Sequence, residues 1–344
     1  MPTTNGLNIL VLAGGISHER DVSLRSGRRL ADSLSAHAHT VTIREPDGSL
    51  LDFIHTNKPD VIWPALHGAS GENGALATLL ELSGVPFVGS RGDAAQLAWS
   101  KPTAKTLVAA DGVKTPVALT LPRETFRELG ADSVLNVIAS SLSLPLVVKP
   151  ARGGSAQGVS MVNGHHDLPR ALVEAYTYCE TVLIEEHIGG TEVSVAIVDT
   201  GEGPRALPSV EIEPRTGAYT FEARYNAGET CFFTPARLDS TTLETLARVA
   251  IASHEKLGLR HFSRMDFIVD ETGCPWFLEA NVIPGLTETS ILPQAIIASG
   301  DDLGSVYAAV AHVAFLDHAN EDVSRETSLT PDRNAADSSR QEFD

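Results

Sequence analysis

Long apolar runs are missing from this sequence. None approaches the roughly 20 residues that span a bilayer, so no transmembrane helix is expected. Cysteine is scarce. Cys179, Cys231 and Cys274 are too widely spaced for a disulfide framework or a zinc motif. They read as reduced thiols of a cytoplasmic protein, used in packing. Positive charge is in deficit: 26 Lys and Arg against 44 Asp and Glu give a formal charge of −18. That balance argues against nonspecific binding to nucleic acid or acidic membrane, although a local group of basic residues can still hold a phosphate. No charged, then apolar, then small-residue leader opens the chain, so secretion is not expected. No internal repeat is visible. Two phosphate-binding signatures are also absent, the Gly-rich dinucleotide fingerprint and the P-loop with Gly-Lys-Ser/Thr opening a helix.

What is present is an ordinary globular composition, 42% apolar over 344 residues, long enough for two or three domains. The first part alternates strand and helix. Leu7-Asn-Ile-Leu-Val-Leu-Ala13 is an apolar strand, Gly14-Gly15 a turn, and a helical pattern runs through Leu34. That is the opening of a doubly wound α/β unit. Glu19 and Ser23 fall near the helix start. There they either favour the helix N-terminus or hold a substrate ammonium. Further strands are expected at Val41-Thr-Ile-Arg44, Val61-Ile-Trp63 and Val85-Pro-Phe-Val-Gly89. The loop from Leu66 to Gly74, rich in Gly, Ala and Ser, lies at a strand's C-terminal end, where α/β folds place ligands.

In the middle, Leu144-Pro-Leu-Val-Val-Lys-Pro150 is a buried strand ending in Lys149. The loop Ala151-Arg-Gly-Gly-Ser-Ala-Gln-Gly158 and another strand follow. Backbone N–H groups of such a loop can cover phosphates; an ordinary turn is the alternative. Near the end, Arg264-Met-Asp-Phe-Ile-Val-Asp270 and Cys274-Pro-Trp-Phe-Leu-Glu-Ala-Asn281 form an expected hairpin. Side chains two apart on a strand share a face. The hairpin therefore presents Asp266, Glu279 and Asn281 together, oxygen ligands suited to Mg²⁺, with Arg264 beside them. A donor-rich loop, Pro284-Gly-Leu-Thr-Glu-Thr-Ser290, follows. This set suits metal-assisted phosphoryl transfer; the alternative is a surface hairpin with scattered charges. Residues 303–316 read as a closing helix. From about residue 319 the chain is polar and acidic and reads as a disordered tail.

Three stretches resemble the signatures of the D-alanine–D-alanine ligases, members of the ATP-grasp superfamily. They are Gly14-Gly-Ile-Ser-His-Glu-Arg-Asp-Val-Ser-Leu24, then His67-Gly-Ala-Ser-Gly-Glu-Asn-Gly74 with Gly84-Val-Pro-Phe-Val-Gly-Ser90, and residues 264–290. The resemblance runs in order from about residue 7 to about 317. It implies an α/β ATP-grasp fold of three domains: an N-terminal α/β domain over 1–100, a central lobe over 101–185, a C-terminal lobe over 186–318, then the tail over 319–344. It implies ligation of two D-alanines with ATP and two Mg²⁺ or Mn²⁺ ions, for a peptidoglycan precursor. A homodimer is the expected assembly.

The resemblance also implies roles. Glu19, Ser155 and Tyr225 form a cluster near the substrates, and Arg264 with Gly285 stabilises an oxyanion. His67, Val22, Ser23 and Ser290 bind the amino acids. Lys101, Lys149 and Arg224 contact ATP phosphates, Glu185 and Ile188 the adenine edge, and Glu192 the ribose. Asp266, Glu279 and Asn281 hold metal. The chain departs from the family pattern at Ala156 and Gln157 in the phosphate loop. Arg224 stands where lysine is common, and Glu186 where a basic residue often stands. A ligase taking D-serine, D-lactate or another amino acid second is the nearest alternative, and a noncatalytic ATP-binding module the more distant one.

Overall fold

A computed structural model describes residues 6–215 and 228–329, with residues 319–329 as backbone. The chain folds around three sheets. The first is parallel, with β1 (Asn8–Leu12) between β2 (Thr40–Arg44) and β3 (Val61–Pro64). Its strands are joined by α1 (Arg20–Ala36) and α2 (Leu50–Asn57), and followed by α3 (Ala69–Glu72) and α4 (Ala75–Ser83). α1 buries Ser23, Ser26, Gly27, Leu30, Ala31 and Leu34, the stripe that helical periodicity provides. Gly27 permits that contact. A Cβ there would lie 2.4 Å from the Cβ of Ala13, so only glycine lets the helix sit this close to the end of β1. The fourth strand expected at 85–89 reduces to one bridge, Phe87 with Ile62, flanked by two backbone hydrogen bonds. Pro86 has no N–H to extend that ladder.

Two helices follow, α5 (Gly92–Trp99) and α6 (Lys101–Ala110). The second sheet is antiparallel, in the order β4 (Ala118–Pro122), β7 (Thr181–Glu186), β5 (Leu146–Pro150), β6 (Ser160–Val162). α7 (Arg123–Leu129), α8 (Ala131–Ser141) and α9 (Leu168–Tyr176) accompany it. Val134, Ile138, Leu146, Val148, Leu172 and Ile184 share its core.

The third sheet runs β11 (Thr230–Phe233), β10 (Val210–Pro214), β8 (Thr191–Asp199), β12 (Phe262–Val269), β13 (Pro275–Asn281), with β9 (Pro204–Ala206) on β8. α10 (Ser240–Lys256) covers one face; α11 (Ile291–Ala298) and α12 (Leu303–Leu329) follow the hairpin. Ala94 and Ala98 of α5, and Ala104 and Val108 of α6, pack with Val195, Phe267 and Phe277 of this sheet. The expected boundary at residue 100 thus falls between two helices that enter the same core. The first and third sheets are likewise joined, because Ile9 and Trp63 share a core with Ala196, Phe262 and Tyr307. Trp63 stacks on Phe262 at 5.8 Å between centroids and meets Tyr307 edge-on at 5.7 Å.

The helical backbone of α12 continues to Leu329, past residue 319 where the tail is expected to begin. Extending an existing helix adds one hydrogen bond per residue fixed and needs no new nucleus, so polar sequence can follow. Among the described residues, no helix is long and apolar enough to cross a membrane, and all three cysteines are free.

Candidate active site

The hairpin forms as its alternation dictates. Arg264 stands opposite Asn281, and Asp266 opposite Glu279. A register shift follows between Asp266 and Phe267, leaving Leu278 as the extra residue. On a regular strand Phe277 and Glu279 would share a face. The bulge separates them: Phe277 pairs with Phe267 in the core, while Glu279 pairs with Asp266 and lines a cleft. Arg264 grips Asp266 with two hydrogen bonds, Nε to Oδ1 and Nη2 to Oδ2, both 2.8 Å. Ser194 Oγ donates to Asp266 Oδ1 at 2.6 Å. Asn281 Oδ1 accepts the Ile283 N–H at 2.9 Å, which turns the chain into the following loop.

The cleft has a volume of about 640 Å³ and lies between the second and third sheets. Lys101, Lys149, Glu185, Ile188, Glu192, Asp266 and Glu279 line it, with Gly153, Gly154, Ala156 and Gln157 of the β5–β6 loop. Ser155 and Ala156 both have φ of 55°, a left-handed conformation costly for residues with a Cβ. That conformation carries Ser155 across to the first domain, where its Oγ donates to Glu19 Oε1 at 3.1 Å. Glu19 is buried against the backbone of Gly68, where a Cβ would fall 2.5 Å from Glu19 Oε2. Lys101 Nζ donates to Gly153 O at 2.6 Å and pairs with Glu279 at 3.1 Å, tying the loop to the hairpin. Gly285 and Ser290 lie together. A Cβ on Gly285 would fall 2.5 Å from Ser290 Oγ, which also accepts the Thr287 N–H at 3.1 Å.

Three of the expected site residues are engaged by other groups of the protein. Glu185, expected at the adenine edge, lines the cleft with its carboxylate buried on Lys105 and Lys149. Its pair of ammoniums overcomes the cost of burial and holds the carboxyl below its ordinary range. The Ser23 hydroxyl donates to Ala65 O at 2.5 Å and accepts the Gly14 N–H at 2.8 Å, so it fastens two loops of the first domain. Val22 lies half-buried beside it on α1.

His67 is buried with both ring nitrogens engaged. Nδ1–H donates to Ile283 O at 3.0 Å and Nε2 accepts from Ser26 Oγ at 2.8 Å. Burial drives its pKa down to about 4, so the ring is neutral, and neither nitrogen is left for a substrate carboxylate. With the Ser26 hydroxyl accepting the Leu286 N–H at 3.2 Å, it anchors the loop that carries Gly285. Tyr225 and Arg224 lie outside the described residues.

Two site residues escaped the sequence reading. Lys105 lies four residues after Lys101, one helical turn on, and that spacing was the available signal. Glu72 had none. It accepts the Gly68 N–H at 2.9 Å, and burial, with Glu19 and Glu279 nearby, pushes its pKa up to about 8.

The donor set fits a hard divalent cation: two carboxylates and an amide oxygen at adjacent register positions, two of them facing the cleft, with phosphate oxygens of a nucleotide able to complete the shell. A second cavity, about 490 Å³, lies among α7, α8 and α9. Its lining is mainly apolar, and its one charged residue, Arg123, is paired with Glu180. It lacks the convergent polar groups of a catalytic site.

The chain is similar to known proteins over most of its length. The family model described as D-ala D-ala ligase C-terminus matches residues 107–310. The D-alanine–D-alanine ligase of Pelotomaculum thermopropionicum is 34% identical over 90% of this chain and 96% of its own length. Among solved structures, the D-alanine–D-alanine ligase of Bacillus anthracis superposes with a TM-score of 0.75 at 25% identity, covering 92% of this chain and all of that one. The VanG D-Ala:D-Ser ligase of Enterococcus faecalis superposes at 0.76 with 26% identity, covering 90% and 99%.

Proposed function

The chain belongs to the D-alanine–D-alanine ligase family, and on that premise we propose how its cleft works. It is an ATP-dependent ligase that joins two D-alanines, releasing ADP and phosphate, in peptidoglycan precursor synthesis. The observation that carries the assignment of residues is the Ser155–Glu19 hydrogen bond. It joins the phosphate-covering loop to the first domain directly beside the cleft.

Glu19 holds the ammonium of the first D-alanine and so aims its carboxylate at the γ-phosphorus of ATP. Lys101 and Lys149 take the phosphates, Ile188 the adenine edge and Glu192 the ribose hydroxyls. Asp266, Glu279 and Asn281 would hold two Mg²⁺ or Mn²⁺ ions, which when bound supply neutralisation of the charge on the phosphoryl oxygens. The carboxylate oxygen of D-alanine bonds to phosphorus as the bond to ADP breaks. The amine of the second D-alanine then adds to the acyl phosphate carbon, loses a proton, and expels phosphate. Arg264 and the Gly285 N–H stabilise the oxyanion of that addition. Arg264 enters it with its guanidinium already fixed by Asp266. Ser290 holds the second carboxylate. Tyr225 joins the Ser155–Glu19 cluster, and Arg224 supplies a further cation to the γ-phosphate. Closure over the site must exclude water, which would hydrolyse the acyl phosphate. The free thiols suit a reducing cytoplasm.

The test is a product assay with ATP and a panel of D- and L-amino acids and D-lactate. D-alanine alone should give one dipeptide per ADP. A dominant mixed product with D-serine or D-lactate would reassign the second substrate, and ADP release independent of any amino acid would overturn the ligase reading.

A further inference from the structure

The cleft contains a charge arrangement that the ligation chemistry described above does not use. Glu185, on β7, has its two carboxylate oxygens on two different ammoniums. Oε1 meets Lys105 Nζ from α6, and Oε2 meets Lys149 Nζ from β5 at 2.5 Å. All three side chains are buried, at 6%, 2% and 9% exposure for Lys105, Glu185 and Lys149. Lys149 and Glu185 line the cleft; Lys105 does not. Two ammoniums against one carboxylate leave a buried net charge of +1. The neighbouring Lys101–Glu279 pair is neutral in sum.

Consider the cluster without Lys105. The carboxylate would have Lys149 as its only partner, and a buried carboxylate binds a sole partner fully because leaving it unpaired is costly. Lys149, already on Oε2, would then be the whole counter-charge of Glu185, and the cluster would keep no net positive charge to meet a nucleotide's phosphates. With Lys105 in place, half of the carboxylate is satisfied from behind the cleft wall. We propose that Lys105 is a positioning residue that frees Lys149 for the nucleotide by sharing Glu185, so that ATP affinity depends on the charge of a side chain that never touches ATP. The proposal rests on the reading of Lys149 as a phosphate-binding cation. Burial pulls the Lys105 ammonium down to about 8, against the pull of Glu185, which still leaves it charged at pH 7.

The test uses the full chain at pH 7 and three variants, K105M, K105Q and K105R. Two quantities are measured: the steady-state constants, and the calorimetric affinity of a nonhydrolysable ATP analogue with Mg²⁺ and without D-alanine. K105M and K105Q should raise the KM for ATP and weaken the analogue by about tenfold, close to the loss of one charge contact, while kcat stays within about threefold. K105R should keep both constants within about threefold of the unmodified enzyme. K105Q separates charge from packing, because glutamine can still donate to Glu185 but carries no charge. Should K105M fail to fold, K105Q carries the test. Unchanged analogue affinity in K105Q, or a tenfold loss in K105R as well, would overturn the proposal. Failure of the unmodified chain to bind the analogue would instead overturn the ATP site itself.

Discussion

Glu72→Gln should stabilise this protein at neutral pH and do little in mild acid. Glu72 is buried and takes one hydrogen bond from the Gly68 N–H, while Glu19 and Glu279 repel a charge there and Arg264 attracts it. Burial dominates, and the pKa rises from 4.5 to about 8. A carboxyl raised by folding is protonated in the native chain and ionised in the unfolded one between those two values. Its contribution is therefore fully present below pH 4.5 and is lost as pH climbs toward 8. At pH 7 the unfolded state gains about 1.36 kcal/mol for each of roughly 2.5 pH steps, or about 3 kcal/mol. At pH 5 the same linkage amounts to less than about 1 kcal/mol.

Glutamine keeps the acceptor for Gly68 and is neutral everywhere, so it removes the penalty without emptying the site. The assay is thermal melting of both proteins across pH 5 to 8. The variant's advantage should grow by a few degrees over that range. An advantage that stays constant with pH, or shrinks as pH rises, would show that Glu72 is ionised in the fold and that the burial argument fails.

Glu279→Gln should leave the melting temperature near that of the unmodified protein and remove most turnover, because a metal-facing carboxylate loses its charge; near-normal ADP production at ordinary Mg²⁺ would take Glu279 out of the metal site. Gly27→Ala should destabilise by about 1–3 kcal/mol, the usual cost of overpacking, since its Cβ would meet the Ala13 Cβ at 2.4 Å; an unchanged melting temperature would mean that α1 can move away from β1.

Much of the architecture was legible because it rests on local periodicity. The alternation through Asp266, Glu279 and Asn281 was enough to place them together on one hairpin. The bulge at Leu278 was not legible, since a one-residue register shift leaves no mark in composition. Resemblance named Glu19 and Ser155 as neighbours, and their hydrogen bond spans 136 positions of sequence. The same route placed Glu185 at the adenine edge but did not show its ion partners. A motif position tells where the backbone lies, not which way a carboxylate turns, and this one turned toward two buried ammoniums. Lys105 was visible as the next turn of a helix begun by Lys101, but its partner Glu185 lies far along the chain on β7 of the second sheet. Resemblance also placed His67 beside the amino-acid substrates. Its burial, which makes it neutral and structural, comes from the meeting of the first and third sheets, and no local pattern encodes that.

In this mechanism the first D-alanine is activated by phosphoryl transfer to its carboxylate. D-alanine carrying ¹⁸O in its carboxylate, supplied with ATP, tests this most directly through mass analysis of the phosphate released. Each phosphate should carry one ¹⁸O, because the oxygen that attacks phosphorus leaves with it when the amine expels phosphate. Unlabelled phosphate accompanying dipeptide would contradict it.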